Sequence, residues 1–141
     1  MIKTFEPKKP HARASGIGLG ISAKDAMVVC SVIRKKPLKR SRRLLDDLIT
    51  KKRSLRGKYY TNAAESIREL LASCEKNAEF KGLDSDLLFV HASAHKGMNI
   101  RRRRRKAGFG SRMKRTNVEI ILIEKGKKPG EKKKVDSGAK K

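Results

Sequence analysis

The segment from residue 97 to residue 115 constrains the fold more than any other part of the chain. It reads GMNIRRRRRKAGFGSRMKR and contains nine Lys or Arg residues and no acidic residue. An alternating apolar pattern precedes it at residues 86–95, and a β-branched apolar stretch follows it at residues 116–124. Nineteen residues are too many for a tight hairpin turn, and a structureless loop of that length is uncommon in a compact domain. We therefore predict that the two strands continue outward as a long antiparallel ribbon, residues 97–115, whose cations bind phosphate.

The overall charge indicates what such a ribbon would bind. The chain has 141 residues, a length typical of one domain, and a formal net charge of +24. A charge of that size repels itself unless a polyanion is present, which makes nucleic acid the leading candidate partner. Apolar runs are much shorter than the about 18 residues of a membrane span, and the first residues lack the apolar stretch of a signal peptide. We therefore expect neither membrane association nor export.

Two helices are predicted between residues 22 and 51. Ser22 and Asp25 have the spacing of a capping box at the start of the first helix. Pro37 is expected to end that helix and to be the first residue of the second, which should run to Lys51. Cations are unfavourable at a helix N-terminus, so those in the first turns of the second helix suggest an anionic partner. They are Lys39, Arg40, Arg42 and Arg43.

A third helix, beginning near Asn62, has the clearest pattern in the chain. Asn62 and Glu65 again have capping-box spacing, and Gly82 is a suitable C-terminal cap. Because apolar residues between them recur at helical spacing, we expect this helix to lie at the centre of the core. These residues are Ala64, Ile67, Leu71, Cys74 and Ala78.

The remaining segments complete a single domain with two appendages. Residues 11–20 predict a short strand that bends at its glycines, and residues 52–60 predict a basic loop. Residues 1–10 have two prolines and no periodicity, so we expect an extended N-terminal arm. The domain itself should span residues 11–124 and include the ribbon. Residues 125–141 form a Lys-rich tail that we expect to be flexible when free.

Residue types that often carry catalysis or bind metals have simpler explanations here. Cys30 and Cys74 lie in apolar helical patterns, which favours two small buried residues over a disulfide or a metal site. His91 and His95 are four residues apart on a predicted strand, too far apart for easy chelation of zinc. The glycines between residues 16 and 20 fit neither the dinucleotide fingerprint nor the P-loop. We therefore expect no catalytic residue, no metal and no cofactor.

Two features of the ribbon leave alternatives open. The run Arg101–Arg105 favours phosphate binding over a solvated charge run or a localisation signal, because it lies between two strands. The chain has only six aromatic residues, four Phe and two Tyr, so stacking of single-stranded bases is not expected to be its main binding mode. For Phe109, two roles are equally open: insertion or stacking against a partner at the ribbon tip, and simple packing within the protein.

Two rival functional classes remain for the protein as a whole. They are a DNA-compacting protein and a small RNA-processing enzyme.

Several short motifs occur in a specific order between residues 12 and 124. They are Ala14-Ser15-Gly16, Ile21-Ser22, the segment NAEFKGLD at residues 77–84, His95-Lys96-Gly97, Lys114-Arg115-Thr116 and Val118-Glu119-Ile120. In this order and spacing they resemble the large-subunit ribosomal protein twenty-two family, called seventeen in eukaryotic naming. The segment KGLD resembles its archaeal and eukaryotic branch. The ribbon is a few residues shorter than the family pattern, and Asn117 stands where a histidine is usual.

The resemblance implies an α+β fold, with three helices packed on a small antiparallel sheet and a long protruding β-hairpin. It implies a structural constituent of the large subunit of cytoplasmic ribosomes, without enzyme activity, that binds and bridges rRNA segments. The hairpin would reach toward the peptide exit tunnel, with roles in subunit assembly and in shaping the path of the nascent chain. The implied partners are large-subunit rRNA, neighbouring ribosomal proteins and the nascent polypeptide at the tunnel wall, and not a second copy of the chain.

Transferred to this sequence, the resemblance places RNA contacts on the first strand, the helices, the basic loop and the ribbon. The residues expected to bind RNA are Arg13, Lys24, Arg40, Arg42, Arg43, Arg53, Arg56, Lys58, Lys96, Arg101, Arg102, Arg103, Arg104, Arg105, Lys106, Arg112, Lys114 and Arg115. The hairpin tip, expected at the tunnel, comprises Ala107, Gly108, Phe109, Gly110 and Ser111.

Overall fold

Among the described residues, the last strand in sequence is the central strand of the one sheet. The structure is a computed structural model that describes residues 5–103 and 107–125. Its elements, in chain order, are β1 His11–Leu19, α1 Ala23–Ile33, α2 Leu38–Ile49, α3 Thr61–Phe80, a short 3-10 helix Ser85–Leu87, β2 Leu88–Lys96 and β3 Thr116–Glu124. The strands are antiparallel and ordered β1-β3-β2. Three helices on a three-stranded antiparallel sheet, with the hairpin between β2 and β3, confirm the predicted α+β fold.

The core lies between the helices and one face of this sheet. On β3 that face carries Val118, Ile120 and Leu122, and all three side chains are buried. The apolar residues predicted for the third helix are also buried, and α3 packs against both β1 and β3. The sheet and α3 therefore form the base on which the other elements are positioned.

Two of the predicted helix ends are confirmed. The Ser22 hydroxyl accepts a hydrogen bond from the Asp25 backbone N–H at 3.5 Å and caps α1. Gly82 has a φ of 68° after α3, and its N–H donates to the Glu79 carbonyl at 2.9 Å. The N–H of Leu83 donates to the Ala78 carbonyl at 3.0 Å, which completes a Schellman motif.

Other predicted helix boundaries are wrong by one to two residues. Pro37 precedes α2 as its N-cap with extended backbone, and is not its first residue. The helix ends at Ile49 and not at Lys51, because Lys51 adopts a left-handed φ of 59°.

The capping box predicted at Asn62 and Glu65 is also wrong. Tyr60 is the N-cap of α3, with a left-handed φ of 52°, and its carbonyl accepts from the Ala64 N–H at 2.9 Å. The helix therefore begins at Thr61, and Asn62 lies inside its first turn.

The connection between α1 and α2 covers the edge of the sheet along β2. The N–H of Lys35 donates to the Val90 carbonyl at 2.8 Å, and the Val90 N–H donates to the Lys36 carbonyl at 2.9 Å. The Arg34 side chain adds a hydrogen bond from Nε to the Ala92 carbonyl at 3.0 Å. These bonds occupy backbone groups that an exposed edge strand would leave unpaired. They also hold the backbone of this turn against the sheet.

The second face of the sheet is covered by the segment that precedes β1. The ring of Phe5 stacks on His91 of β2 with 4.6 Å between ring centroids. The Arg13 guanidinium donates to the Phe5 carbonyl at 2.8 Å and forms an ion pair with Glu119 at 3.0 Å. Ile121 on this face is fully buried. The boundary of the predicted arm at residue 10 stays a prediction, but its described part folds back on the sheet from Phe5 onward.

The stacked His91 makes stability depend on pH. Burial, and then the nearby Arg34, lower the pKa of His91 below its ordinary value of 6.5, while Glu119 opposes the shift. Below pH 6.5, the His91 imidazole binds a proton more readily in the unfolded chain than in the folded chain. Acidification therefore lowers stability. We expect the loss in free energy of unfolding between pH 7 and pH 5 to be smaller in His91→Phe, which keeps a ring under Phe5 but does not titrate. Urea unfolding at both pH values measures this, and identical losses in the two proteins would contradict it.

Both cysteines are interior residues with free thiols, as predicted. Cys30 on α1 and Cys74 on α3 are 1% and 0% exposed. Burial raises the pKa of Cys30 to about 12 and that of Cys74 to about 11. The Cys74 thiol lies 3.6 Å from the backbone oxygens of Ala12 and Ile120, where β1 and β3 meet α3.

Candidate nucleic-acid interface

The ribbon leaves the sheet between Lys96 and Thr116, where regular strand pairing ends. Beyond this point its two arms are joined by individual backbone hydrogen bonds. Gly97 N–H donates to the Arg115 carbonyl at 2.9 Å, and Met113 N–H donates to the Ile100 carbonyl at 2.8 Å. Arg102 N–H donates to the Ser111 carbonyl at 3.0 Å. The ribbon is thus an extended pair of arms, with less regular pairing than the predicted continuation of both strands.

The described part of the tip is a glycine turn with an exposed aromatic ring. Gly108 and Gly110 have φ values of 86° and 74°, which side chains rarely allow, and the Ser111 N–H donates to the Gly108 carbonyl at 3.0 Å. The Phe109 side chain between them is 66% exposed. Phe109 is therefore available to a partner and is not packed within the described chain.

Most ribbon cations in the described chain are exposed on both arms. Three lie on the outgoing arm and two on the returning arm: Arg101, Arg102, Arg103, Arg112 and Lys114. Lys96, at the point where β2 ends, is also exposed. The predicted contacts Arg104, Arg105 and Lys106 lie outside the described residues.

Arg115 differs from the other described ribbon cations because it ties the ribbon to β1. It is half-buried, and its Nη1 donates to the Gly18 carbonyl at 2.7 Å. The Gly18 N–H in turn donates to Oδ1 of Asn117 at 2.9 Å. Thr116 adds a buried hydrogen bond from its hydroxyl to the Ile21 carbonyl at 2.8 Å. The residues at the ribbon base therefore hold its direction relative to the sheet.

Close packing at the ribbon base predicts a destabilising substitution. A Cβ on Gly97 would lie 3.1 Å from the Arg115 carbonyl group and 3.2 Å from Oδ1 of Asn117. We expect Gly97→Ala to lower the free energy of unfolding by about 1–3 kcal/mol, since the opposing backbone must move. Gly20→Ala is the matched control, because nothing lies within 4 Å of its Cβ position. Urea unfolding compares the two, and equal stability would contradict the packing argument.

The basic residues of the helical body form a second group. Arg40 and Arg43 on α2 are exposed, as are Lys24 on α1 and the basic-loop residues Arg53, Arg56 and Lys58. Arg42 is exposed too, with an ion pair to Glu75 at 3.6 Å.

Lys36 belongs to this second group, although the sequence interpretation did not select it. Burial lowers its pKa, and the positive charges of Arg40 and Arg53 lower it further. Lys36 and Arg53 are distant in sequence, and no local pattern would have joined them.

Arg13 occupies a different environment from the other predicted RNA contacts. Its guanidinium lies on the second face of the sheet, between Glu119 and the Phe5 carbonyl. The structure therefore gives Arg13 an internal role that its charge alone did not indicate. Its predicted RNA contact stays a prediction.

The ribbon and the basic loop come together at one hollow. Lys114 and Lys58 both line a cavity of about 280 Å³ beside Tyr60 and the first residues of α1 and α3. Asp25 is the acidic residue in its lining. The cations of the returning ribbon arm and of the basic loop are therefore parts of one surface.

The described residues contain no group of three or more His, Cys, Asp or Glu side chains placed to bind a metal ion. In the same part of the chain, no helix is both long enough and apolar enough to cross a membrane.

Comparison with known proteins identifies the family. The model of the ribosomal protein L22p/L17e family matches residues 14–123, which is most of the domain. The chain belongs to this family. It is 34% identical over 140 residues to the large ribosomal subunit protein uL22 of Archaeoglobus fulgidus, with 82% of this chain and 90% of the relative covered. It is 33% identical to the uL22 of Thermoplasma acidophilum, with 86% of this chain and 93% of the relative covered.

Membership in the L22p/L17e family confirms several predictions at once. The chain is a structural constituent of the large ribosomal subunit and not an enzyme, and its place is the ribosome in the cytoplasm. Its partners are therefore rRNA and other ribosomal proteins. The archaeal relatives also agree with the branch that the KGLD segment indicated.

Proposed function

We propose that this L22p/L17e protein binds and bridges separate segments of large-subunit rRNA, with its ribbon reaching toward the peptide exit tunnel. The observation that carries the proposal is the two-armed ribbon. Arg101, Arg102 and Arg103 on one arm, and Arg112 and Lys114 on the other, are all exposed. The whole ribbon sequence contains no acidic residue. Cations on two opposed arms can contact RNA on two sides at once.

The chemistry of the ribbon suits structured RNA. Guanidinium groups bind phosphate oxygens in pairs and stay charged at all physiological pH values. Folded RNA is recognised largely through its backbone, its shape and its 2′-hydroxyl groups, which needs many cations and few aromatic rings. The body supplies further cations, including Lys36 in the turn beside β2 and the exposed Arg40 and Arg53. Bridging then follows from cations on both ribbon arms and on the helical body of one domain.

Two measurements test RNA binding. In a lysate gradient run at low and then high salt, we expect the protein to remain with the large subunit after the salt wash. With purified large-subunit rRNA, contact of about six cations with phosphates gives a slope of log affinity against log salt of roughly −4. A slope near zero, or equal affinity for duplex DNA at matched salt, would overturn the proposal in favour of a looser nucleic-acid role.

The proposed location of the ribbon near the peptide exit tunnel depends on its tip. Phe109 is exposed beyond the paired part of the ribbon, where it can contact a nascent polypeptide or the tunnel wall. A photo-cross-linking amino acid at position 109, in assembled ribosomes with a stalled nascent chain, should form products with that chain or with tunnel rRNA. Cross-links only to RNA on the outer surface of the subunit would contradict a tunnel location.

An assembly role predicts that depletion of the protein leaves incomplete large-subunit particles.

A further inference from the structure

Three of the four methionines of the chain line one groove at the base of the ribbon. Met27 lies on α1, Met98 on the outgoing arm and Met113 on the returning arm, and all three line the same cavity. Their side chains are 47%, 78% and 41% exposed. Isolated exposed apolar residues are common on protein surfaces, but three gathered in one concave site mark an interaction surface. We call this site the methionine groove.

The methionine groove has the size of a small-ligand site, and its lining includes several cations. Its volume is about 410 Å³, within the about 300–1,000 Å³ typical of pockets for small molecules. Four exposed cations contribute to its lining: Lys24, Lys96, Arg112 and Lys114. None of the described lining residues is acidic. A lining that combines methionines with cations and has no acidic residue fits a ligand with a flat apolar part and a negative charge.

We propose that the methionine groove receives the unstacked base of an rRNA nucleotide, with the flanking phosphates on the cations of its lining. This inference rests on the proposed function and gives it a defined subsite. The flexible, polarizable thioether of methionine makes favourable contacts with aromatic rings and adapts to their outline. In single-stranded or bulged RNA, bases are free to leave the stack and enter such a site. Four cations around one base are sufficient to neutralise the phosphates on both sides of it.

The position of the groove favours RNA over an acidic protein segment. It is continuous with the ribbon, because Met98, Arg112, Met113 and Arg115 all belong to both. It also shares Lys114 with the hollow that contains Lys58, so the cationic surface extends from the groove to the basic loop. An RNA strand on the ribbon would therefore pass the groove mouth.

Methionine methyl resonances report directly on this subsite. With ¹³C-methyl methionine in the full chain, single Met→Leu variants assign the four signals. At low salt, hexa-adenylate RNA should move the signals of Met27, Met98 and Met113 upfield, because a base ring lies over them. Polyphosphate of matched charge has no bases and should leave these three signals nearly unchanged.

A substitution pair adds an affinity test. Met98→Gln should weaken hexa-adenylate binding about fivefold or more, as expected for loss of one base contact, while the salt slope stays the same. Ile17→Gln is the matched control, since Ile17 is 69% exposed on β1 and lies outside the groove lining. Equal affinities of the two variants would overturn the inference.

The outcomes separate this inference from the proposed function. If hexa-adenylate binds with a clear salt slope and leaves the three methyl signals in place, the base subsite is wrong and phosphate binding stands. If an acidic peptide containing tryptophan moves these signals and the RNA does not, the groove is a protein-docking site. If neither large-subunit rRNA nor the oligomer binds at low salt, the proposed function itself fails.

Discussion

Replacing Arg101, Arg102, Arg103 and Arg112 with glutamine should lower affinity for large-subunit rRNA by about two to three orders of magnitude at low salt. Because each phosphate contact releases counterions, the slope of log affinity against log salt should also become shallower by about 2.8 units. All four side chains are exposed, so the fold should be unaffected. Filter binding over a series of salt concentrations measures both quantities, and circular dichroism checks the fold.

A control of equal charge distinguishes specific contacts from net charge. Glutamine at Lys8, Lys9, Arg68 and Lys76 also removes four exposed cations, and none of these is among the predicted RNA contacts. We expect this control to change the slope much less. If both sets flatten the slope equally, affinity depends on total charge and not on the ribbon.

The second large effect concerns stability and involves the middle of the sheet. Ile120 on β3 is fully buried, and its neighbours across the sheet are Ala14 on β1 and Ala92 on β2. Small residues on both sides cannot move in to fill the space left by a truncated side chain. We therefore expect Ile120→Ala to lower the free energy of unfolding by about 2–5 kcal/mol, and Ile120→Val by about 0.5–1.5 kcal/mol.

Urea unfolding measures this graded series, with Ile17→Ala on β1 as the control. Ile17 is 69% exposed, so its truncation should leave stability nearly unchanged. Equal losses for Ile120→Ala and Ile17→Ala would show that the face occupied by Ile120 is not the core.

Local signals predicted much of this fold. The third helix was predictable because its apolar residues follow one face without interruption. Gly82 marked its end, because glycine readily adopts the left-handed φ that a Schellman cap requires. Its start was not predictable, because the left-handed Tyr60 replaces a side-chain cap and leaves no cap motif in the sequence. The pairing of β2 with β3 was predictable because an alternating apolar stretch and a β-branched apolar stretch lie on either side of one basic segment.

The contacts that position the candidate site depend on residues far apart in sequence. The sequence shows the charge of Arg13 but does not predict its ion pair with Glu119. The hydrogen bond from Arg115 to Gly18 of β1 was equally unpredictable, because these residues are also far apart in sequence. The methionine groove combines residues of α1 with both ribbon arms, and no periodicity connects positions 27, 98 and 113. Sequence patterns identify the charged and apolar residues. Which of them are exposed together on one surface depends on the tertiary structure.

The burial of both thiols has a practical consequence for following the ribbon in solution. Cys30 and Cys74 are inaccessible and protonated at neutral pH, so maleimide reagents should leave them unmodified while the chain is folded. Ser111→Cys would then create one reactive position at the exposed tip without removal of any native cysteine. A fluorophore or spin label attached there would report where the tip goes as the subunit assembles.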